Sequence, residues 1–132
     1  MPYLLDTNIV SDLVKYPQGR AAKRTSNSGD EKVATSIIVA AEMRYGSARK
    51  KSSRLLTQLE TVLGAIEILP LETPADRHYA ELRARLESIG KPISANDMLI
   101  AAQALALDYT LVTDNVGEFS RVKGLRVENW LR

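Results

Sequence analysis

No cysteine occurs among the 132 residues, so disulfides, thiolate nucleophiles and thiolate-held metals are excluded. Histidine is nearly absent: His78 stands alone. That disfavours a zinc centre, which draws on several His or Cys ligands. His78 itself lies in a polar helix start and reads as exposed and uninvolved. Long apolar runs are missing as well. The longest, Met98 to Leu107, is too short to span a bilayer and contains Gln103. No signal peptide is visible, because Asp6 interrupts the first apolar run and no cleavage-site pattern follows. A cytoplasmic protein without membrane association is the expectation. Neither sign of charge dominates: 18 Lys and Arg against 16 Asp and Glu leave +2, a mild lean towards anionic partners. Any metal must then be held by oxygen, which points to Mg²⁺ or Mn²⁺.

What is present suffices for one domain over residues 1–132 with a real core: 45% of residues are hydrophobic and 26% charged. Tyr3-Leu4-Leu5 reads as a short buried strand ending on Asp6, and Asn8 to Lys15 as a helix carrying Ile9, Val10, Leu13 and Val14. Residues 20–32 are polar and fit an exposed helix or a loop equally. Val33-Ala34-Thr35 is a second strand, and Ser36 caps a helix bearing Ile38, Val39, Glu42, Met43, Tyr45 and Gly46. Arg49 to Arg54 interrupts the apolar pattern. A stripe from Leu55 to Ile66 follows, then Glu67-Ile68-Leu69 as a third strand. Thr73 and Pro74 read as N-cap and first residue of a helix that Gly90 ends. Ser94 caps an apolar helix, Ala95 to Leu107. Thr110 to Thr113 and Leu125 to Val127 are the last two strands. Strands alternating with helices predict an α/β fold, a central parallel sheet of about five short strands flanked by helices.

Four carboxylates stand in distinctive settings. Asp6 and Asp114 each end an apolar strand, where they can cap the next helix or line the ligand-binding edge of an open α/β sheet. Glu42 interrupts an apolar helical stretch. It meets water or pairs with Arg49, or it faces a cation in a cleft, since a buried unpaired carboxylate costs several kcal/mol. Asp97 follows Ser94 by three residues, a capping-box spacing that does not preclude metal binding. The basic run Arg49 to Arg54 suits a helix C-terminus or a phosphate contact. Trp130, Tyr45 and Tyr79 read as packing residues.

Taken together these stretches resemble the PIN-domain family, and within it the VapC-like ribonuclease toxins of toxin–antitoxin systems. The matching residues are Leu4-Leu5-Asp6-Thr7-Asn8, then Ser36, Glu42 and Gly46, then Ser94 to Ala102, then Leu111 to Asn115 with Glu118-Phe119. The closing Gly124 to Trp130 is similar too, so the resemblance covers essentially the whole chain. It implies that Asp6, Glu42, Asp97 and Asp114 meet at one edge of the sheet. It also implies RNA cleavage that depends on Mg²⁺ or Mn²⁺, with help from the hydroxyls of Thr113 and Thr7. Asp6 and Asp97 would bind the metal most directly, with Glu42 and Asp114 holding its waters or a second ion. Many relatives carry Asn where this chain has Asp114, so Asn115 or Glu118 could share that task. A homodimer bound by a small antitoxin is implied as well. Arg44, Arg49, Lys50, Lys51 and Arg54 are candidates for a basic rim around the acidic pocket.

Three other readings compete. A non-catalytic PIN-like module for RNA or protein contact would have lost one or more acidic positions, and all four are present. A receiver-type phosphoacceptor calls for an acidic cluster at the first strand and a lysine closing a later one; Leu4-Leu5-Asp6 and Val112-Thr113 supply neither. An Asp-x-Asp phosphatase fails because Asn8 fills the second position.

Overall fold

Every residue of Tyr3–Leu5 (β1) is buried, the mark of a parallel strand covered on both faces. In the computed structural model, which describes residues 2–132, β1 is the middle of a five-stranded sheet. Val33–Ser36 (β2), Glu67–Leu69 (β3), Thr110–Val112 (β4) and Val127–Glu128 (β5) complete it in the order β3-β2-β1-β4-β5. All neighbours run parallel. Leu5 lies opposite Thr35 on one side and Val112 on the other.

Parallel strands need crossovers, and helices provide them. Thr7–Lys15 (α1) and Arg20–Ser26 (α2) join β1 to β2. Ile37–Lys50 (α3) and Ser53–Ala65 (α4) lead to β3, and Ala75–Ser88 (α5) and Ala95–Leu107 (α6) to β4. The single turn Val116–Phe119 (α7) precedes β5. The chain therefore walks outward from β1 through β2 to β3, then crosses to β4 and β5. Its direction of travel reverses between β1 and β4. The crevice at the carboxyl ends of two such strands is where open α/β sheets bind ligands.

The predicted stripes face the core: Ile9, Val10 and Leu13 on α1, Leu59 and Leu63 on α4. Helix α6 is buried nearly all round, which is why its sequence is apolar on most sides. Leu4, Leu5, Ile100, Leu111 and Phe119 are fully buried, and truncating one of these leucines to Ala costs about 2–5 kcal/mol. Gln103, buried within α6, donates to the carbonyls of Leu69 and Pro70 and so closes the end of β3. Trp130 packs edge-on against Tyr3 at 5.0 Å, with the Arg24 guanidinium 4.9 Å from its ring. The expected packing role of Trp130 holds.

Three readings change. Of the undecided residues 20–32, Arg20–Ser26 is helix, anchored by the fully buried Ala21. One small buried residue leaves no apolar stripe to find. Tyr45 does not pack: it is 67% exposed, while Tyr79 does lie against the core. Thr73 does not cap α5. Pro74 is the N-cap residue, with non-helical φ −94° and ψ 28° and no side-chain bond, and the helix starts one residue later.

Candidate active site

Strand β1 delivers Asp6 to the crevice between β1 and β4, and β4 delivers Thr113 beside it. Both are buried, Asp6 at 4% exposure and Thr113 at 0%. Asp6 is the N-cap residue of α1, yet its side chain makes no capping bond. Its Oδ2 instead accepts from Thr113 Oγ1 at 2.8 Å. Capping therefore does not account for this aspartate. Asn8 knits the two loops together. Its Nδ2 lies 3.4 Å from Asp6 Oδ2 and 3.3 Å from Thr113 Oγ1, while its Oδ1 accepts from the Asp114 amide at 2.9 Å. Thr113 Oγ1 also accepts from the Asn115 amide at 3.0 Å.

Two helices bring the other acids. Ser36 ends β2 and starts α3, its Oγ accepting from the Ile38 amide at 3.0 Å. Glu42, on α3, is half-buried and takes a 3.5 Å hydrogen bond from Thr7 Oγ1. It makes no ion pair with Arg49 among the described residues. Ser94 caps α6 by accepting from the Asp97 amide at 3.2 Å, so half of the predicted capping box forms, and Asp97 is half-buried in the first turn.

The electrostatics separate these groups. Burial pushes the Asp6 carboxyl above the usual carboxylate range; the Thr113 hydroxyl pulls against it and the charge of Glu42 adds to it. Burial likewise pushes Asp97 up, and Asp6 and Glu118 add repulsion. Asp6, Glu42, Asp97 and Glu118 thus feel one another, and among the described residues none of them is in an ion pair. No three of the described His, Asp or Glu side chains stand close enough together to enclose a metal ion. Mg²⁺ takes one or two carboxylates directly and keeps several waters, so it does not need three ligating side chains. An all-oxygen donor set with unrelieved negative charge fits such an ion.

Asp114 is different. It is exposed and its Oδ1 is held by Asn129 Nδ2 at 3.0 Å and Arg132 Nε at 3.3 Å. The Asn129 hydrogen bond, then Arg132, holds its carboxyl below the usual range. Of the proposed basic rim, Arg44 is clamped to Glu60 at 3.0 and 2.9 Å, and the run ending α3 starts at Arg49, seven residues past Glu42, about 10 Å along the helix. The sequence reading gave Asn8 no bond across to β4, and it named Asn115 or Glu118 as able to share the task of Asp114. The signal was there: Asp6-Thr7-Asn8 is three polar residues where a cap needs one.

Comparison with known proteins follows the same lines. The family model described as PIN domain matches residues 3–125. A curated ribonuclease VapC2 of Rickettsia felis is 39% identical, the match covering 98% of each chain. A tRNA(fMet)-specific endonuclease VapC of Shigella flexneri is 31% identical, with 98% of each chain covered. Among solved structures, VapBC2 of Rickettsia felis bound to a DNA fragment from its promoter superposes with a TM-score of 0.93 at 36% identity, over 98% of this chain and 99% of that one. A family match over nearly the whole length, with relatives of this identity, places the chain in the PIN-domain family, in its VapC branch.

Proposed function

We propose that the chain is an endoribonuclease dependent on Mg²⁺ or Mn²⁺, acting on tRNA or another structured RNA, and the toxin of a toxin–antitoxin pair. One observation carries the reading. A buried aspartate at the switch point of the sheet shares its field with Glu42, as Asp97 does with Asp6 and Glu118, and among the described residues no basic side chain forms an ion pair with them. Such a group stays ionised in the presence of a cation.

Asp6 and Asp97 are the residues that would hold the ion. Glu42, with Glu118 or Asp114, would orient water around it. When bound, such an ion would supply Lewis-acid activation of water and offset charge on the phosphoryl oxygens. The chain's own part is positioning. Thr113 fixes one oxygen of Asp6, Asn8 locks the β1 and β4 loops together, and Ser94 fixes the turn that carries Asp97. No histidine base is required.

RNA as substrate is supported by the names of the relatives, ribonucleases and a tRNA endonuclease. A small antitoxin as partner is supported by the likeness to toxin–antitoxin complexes, and a homodimer by the family resemblance. None of the helices among the described residues is long and apolar enough to cross a membrane. The test is cleavage of total RNA by the purified chain with Mg²⁺, with Mn²⁺ and with excess chelator, beside an Asp6→Asn, Asp97→Asn double variant. Discrete fragments that need the metal and vanish in the variant are expected. Intact RNA after incubation with folded, partner-free protein would overturn the reading in favour of a binding module.

A further inference from the structure

The acidic crevice repels the very phosphates it is to cut, so an RNA strand needs a positive anchor nearby. The cations of the run Arg49 to Arg54 are exposed and, among the described residues, no hydrogen bond or ion pair fixes any of them. A second group of cations lies around a concavity of about 250 Å³ between α5, the end of α6 and the loop after α7. Arg85, Arg121 and Lys123 line it, with His78 and one carboxylate, Glu81.

The two arginines are held differently from the paired arginines of the chain. Arg24, Arg44, Arg83, Arg126 and Arg132 lie against carboxylates. Arg85 instead donates to the backbone carbonyl of Arg121 at 3.0 Å, and Arg121 to that of Pro92 at 3.3 Å. Among the described residues, neither they nor Lys123 form an ion pair. A carbonyl fixes a guanidinium without neutralising it, and leaves the remaining N–H donors of the fork for a planar anion. These guanidiniums are therefore positioned, charged and unspent.

The concavity is also tied to the carboxylates. The Arg121 amide bonds the carbonyl of Glu118 at 3.1 Å, the residue whose charge bears on Asp97. Pro92 lies two residues before the cap of α6. Leu105, which walls the concavity, is eight residues beyond Asp97, about 12 Å down α6. At about one Debye length in 0.1 M salt the two groups act on one strand as separate sites, an anchor and a cleft, and do not neutralise each other.

We propose that Arg85, Arg121 and Lys123 form a phosphate-holding site that seats the substrate's sugar–phosphate backbone to one side of the scissile bond. The proposal rests on the endoribonuclease reading and deepens it. It assigns the charge that orients RNA to the α5–α7 side of the crevice, and not to the basic run at the end of α3.

The test compares the full-length chain with Arg85→Gln, Arg121→Gln, Lys123→Gln as a triple variant. A fluorescent single-stranded RNA is titrated in chelator, so that it is bound and not cut, across a salt series. The expected result is affinity at least about tenfold weaker at low salt, with the slope of log affinity against log salt reduced by up to about 2, at about 0.7 per lost contact. Because the arginines also brace backbone carbonyls, Lys123→Glu is measured in parallel; among the described residues the Lys123 side chain bonds nothing, and the variant should weaken binding with an unchanged unfolding midpoint. Arg49→Gln, Lys50→Gln, Lys51→Gln serves as the control and should leave the slope unaltered. An unchanged slope in both the triple variant and Lys123→Glu overturns the proposal. So does a loss confined to binding of an acidic peptide, which would mark the site as a protein contact. Cleavage by the wild-type chain is scored separately: RNA cut normally by the triple variant with unaltered KM refutes the anchor alone, whereas no cutting by any form refutes the nuclease reading.

Discussion

Asp6 and Asp114 both lie past the carboxyl ends of neighbouring parallel strands, Asp6 directly after Leu5 and Asp114 two residues after Val112, and their electrostatics are opposite. Asp6 is buried, faces other acids and holds its proton tightly. Asp114 is exposed, bonded to Asn129 and Arg132, and gives its proton up early. The backbone brings both to the same edge; what surrounds each side chain then decides its chemistry. A carboxylate already satisfied by an amide and a guanidinium has less to offer a cation than one surrounded by its own sign. The contrast supports the proposal of Asp6 and Asp97 as the working pair, and favours Glu118 over Asp114 for the remaining acidic position.

The sharpest way to break that contrast is to neutralise both strand-end aspartates and compare rates. Asp6→Asn or Asp97→Asn should lower RNA cleavage by about a hundredfold or more, the scale on which lost electrostatic stabilisation acts, while Asp114→Asn should lose less than about tenfold. Initial rates on one RNA at saturating Mg²⁺ decide it. Equal losses at Asp6 and Asp114 would abolish the distinction. Glu118→Gln sharpens the same point, and its rate should fall between the two.

The frame of this site was legible in the sequence, and the reason is backbone geometry. A buried strand must end where its apolar run ends, so Leu5-Asp6 and Val112-Thr113 located the edge, and Ser36 and Ser94 located the heads of two helices. Helix α2 was not legible, because Ala21 is its sole fully buried residue and leaves no periodicity. The choice between Asp114 and Glu118 was not legible either. It depends on Asn129 and Arg132 reaching back from the chain end, a contact between residues fifteen and eighteen positions apart that no local pattern announces. The anchor at Arg85, Arg121 and Lys123 escaped for the same reason: three isolated cations on separate elements form no run, whereas Arg49 to Arg54 does.

Thr113 tests whether Asp6 is held or merely crowded. Thr113→Val deletes the donor to Asp6 and the acceptor of the Asn115 amide. Leaving such a group unsatisfied costs about 1–3 kcal/mol, to be read in urea unfolding. The lost hydrogen bond had favoured the ionised carboxylate, so the acid limb of the pH–rate profile should move to higher pH. A destabilised variant with an unmoved acid limb would show Thr113 to be scaffolding only.

The same raised proton affinity predicts that the working residue weakens the fold. The native state binds protons at Asp6 and Asp97 more tightly than the unfolded chain does. Their contribution is therefore most favourable below the ordinary carboxylate pKa and declines as pH rises through the raised native values. Asp6→Asn keeps an oxygen to accept from Thr113 and removes the buried charge. In chelator at neutral pH it should melt about 2–5 °C above wild type, and the gain should disappear near pH 3. Added Mg²⁺ should raise the melting point of wild type and leave that of the double variant Asp6→Asn, Asp97→Asn unchanged. A variant no more stable than wild type at neutral pH would mean that Asp6 is relieved by some neighbour, and the contrast with Asp114 would lose its basis.

The smallest effect belongs to the other member of the comparison. Arg132→Ala removes an exposed partner from Asp114, with the arginine 79% and the aspartate 36% exposed in their side chains. Exposed pairs of this kind contribute little and are screened by salt, and Asn129 continues to hold the carboxylate. The unfolding midpoint should be unresolved from wild type and the cleavage rate unchanged, because on this view Asp114 answers to the chain end and not to the metal. What the variant should change is the titration of Asp114 itself. Its carboxyl should move up towards the ordinary range, visible as a shifted side-chain carbon resonance in an NMR pH series. If the rate instead falls along with that shift, the clamp from Asn129 and Arg132 is serving the reaction, and Asp114 must be counted with Asp6 after all.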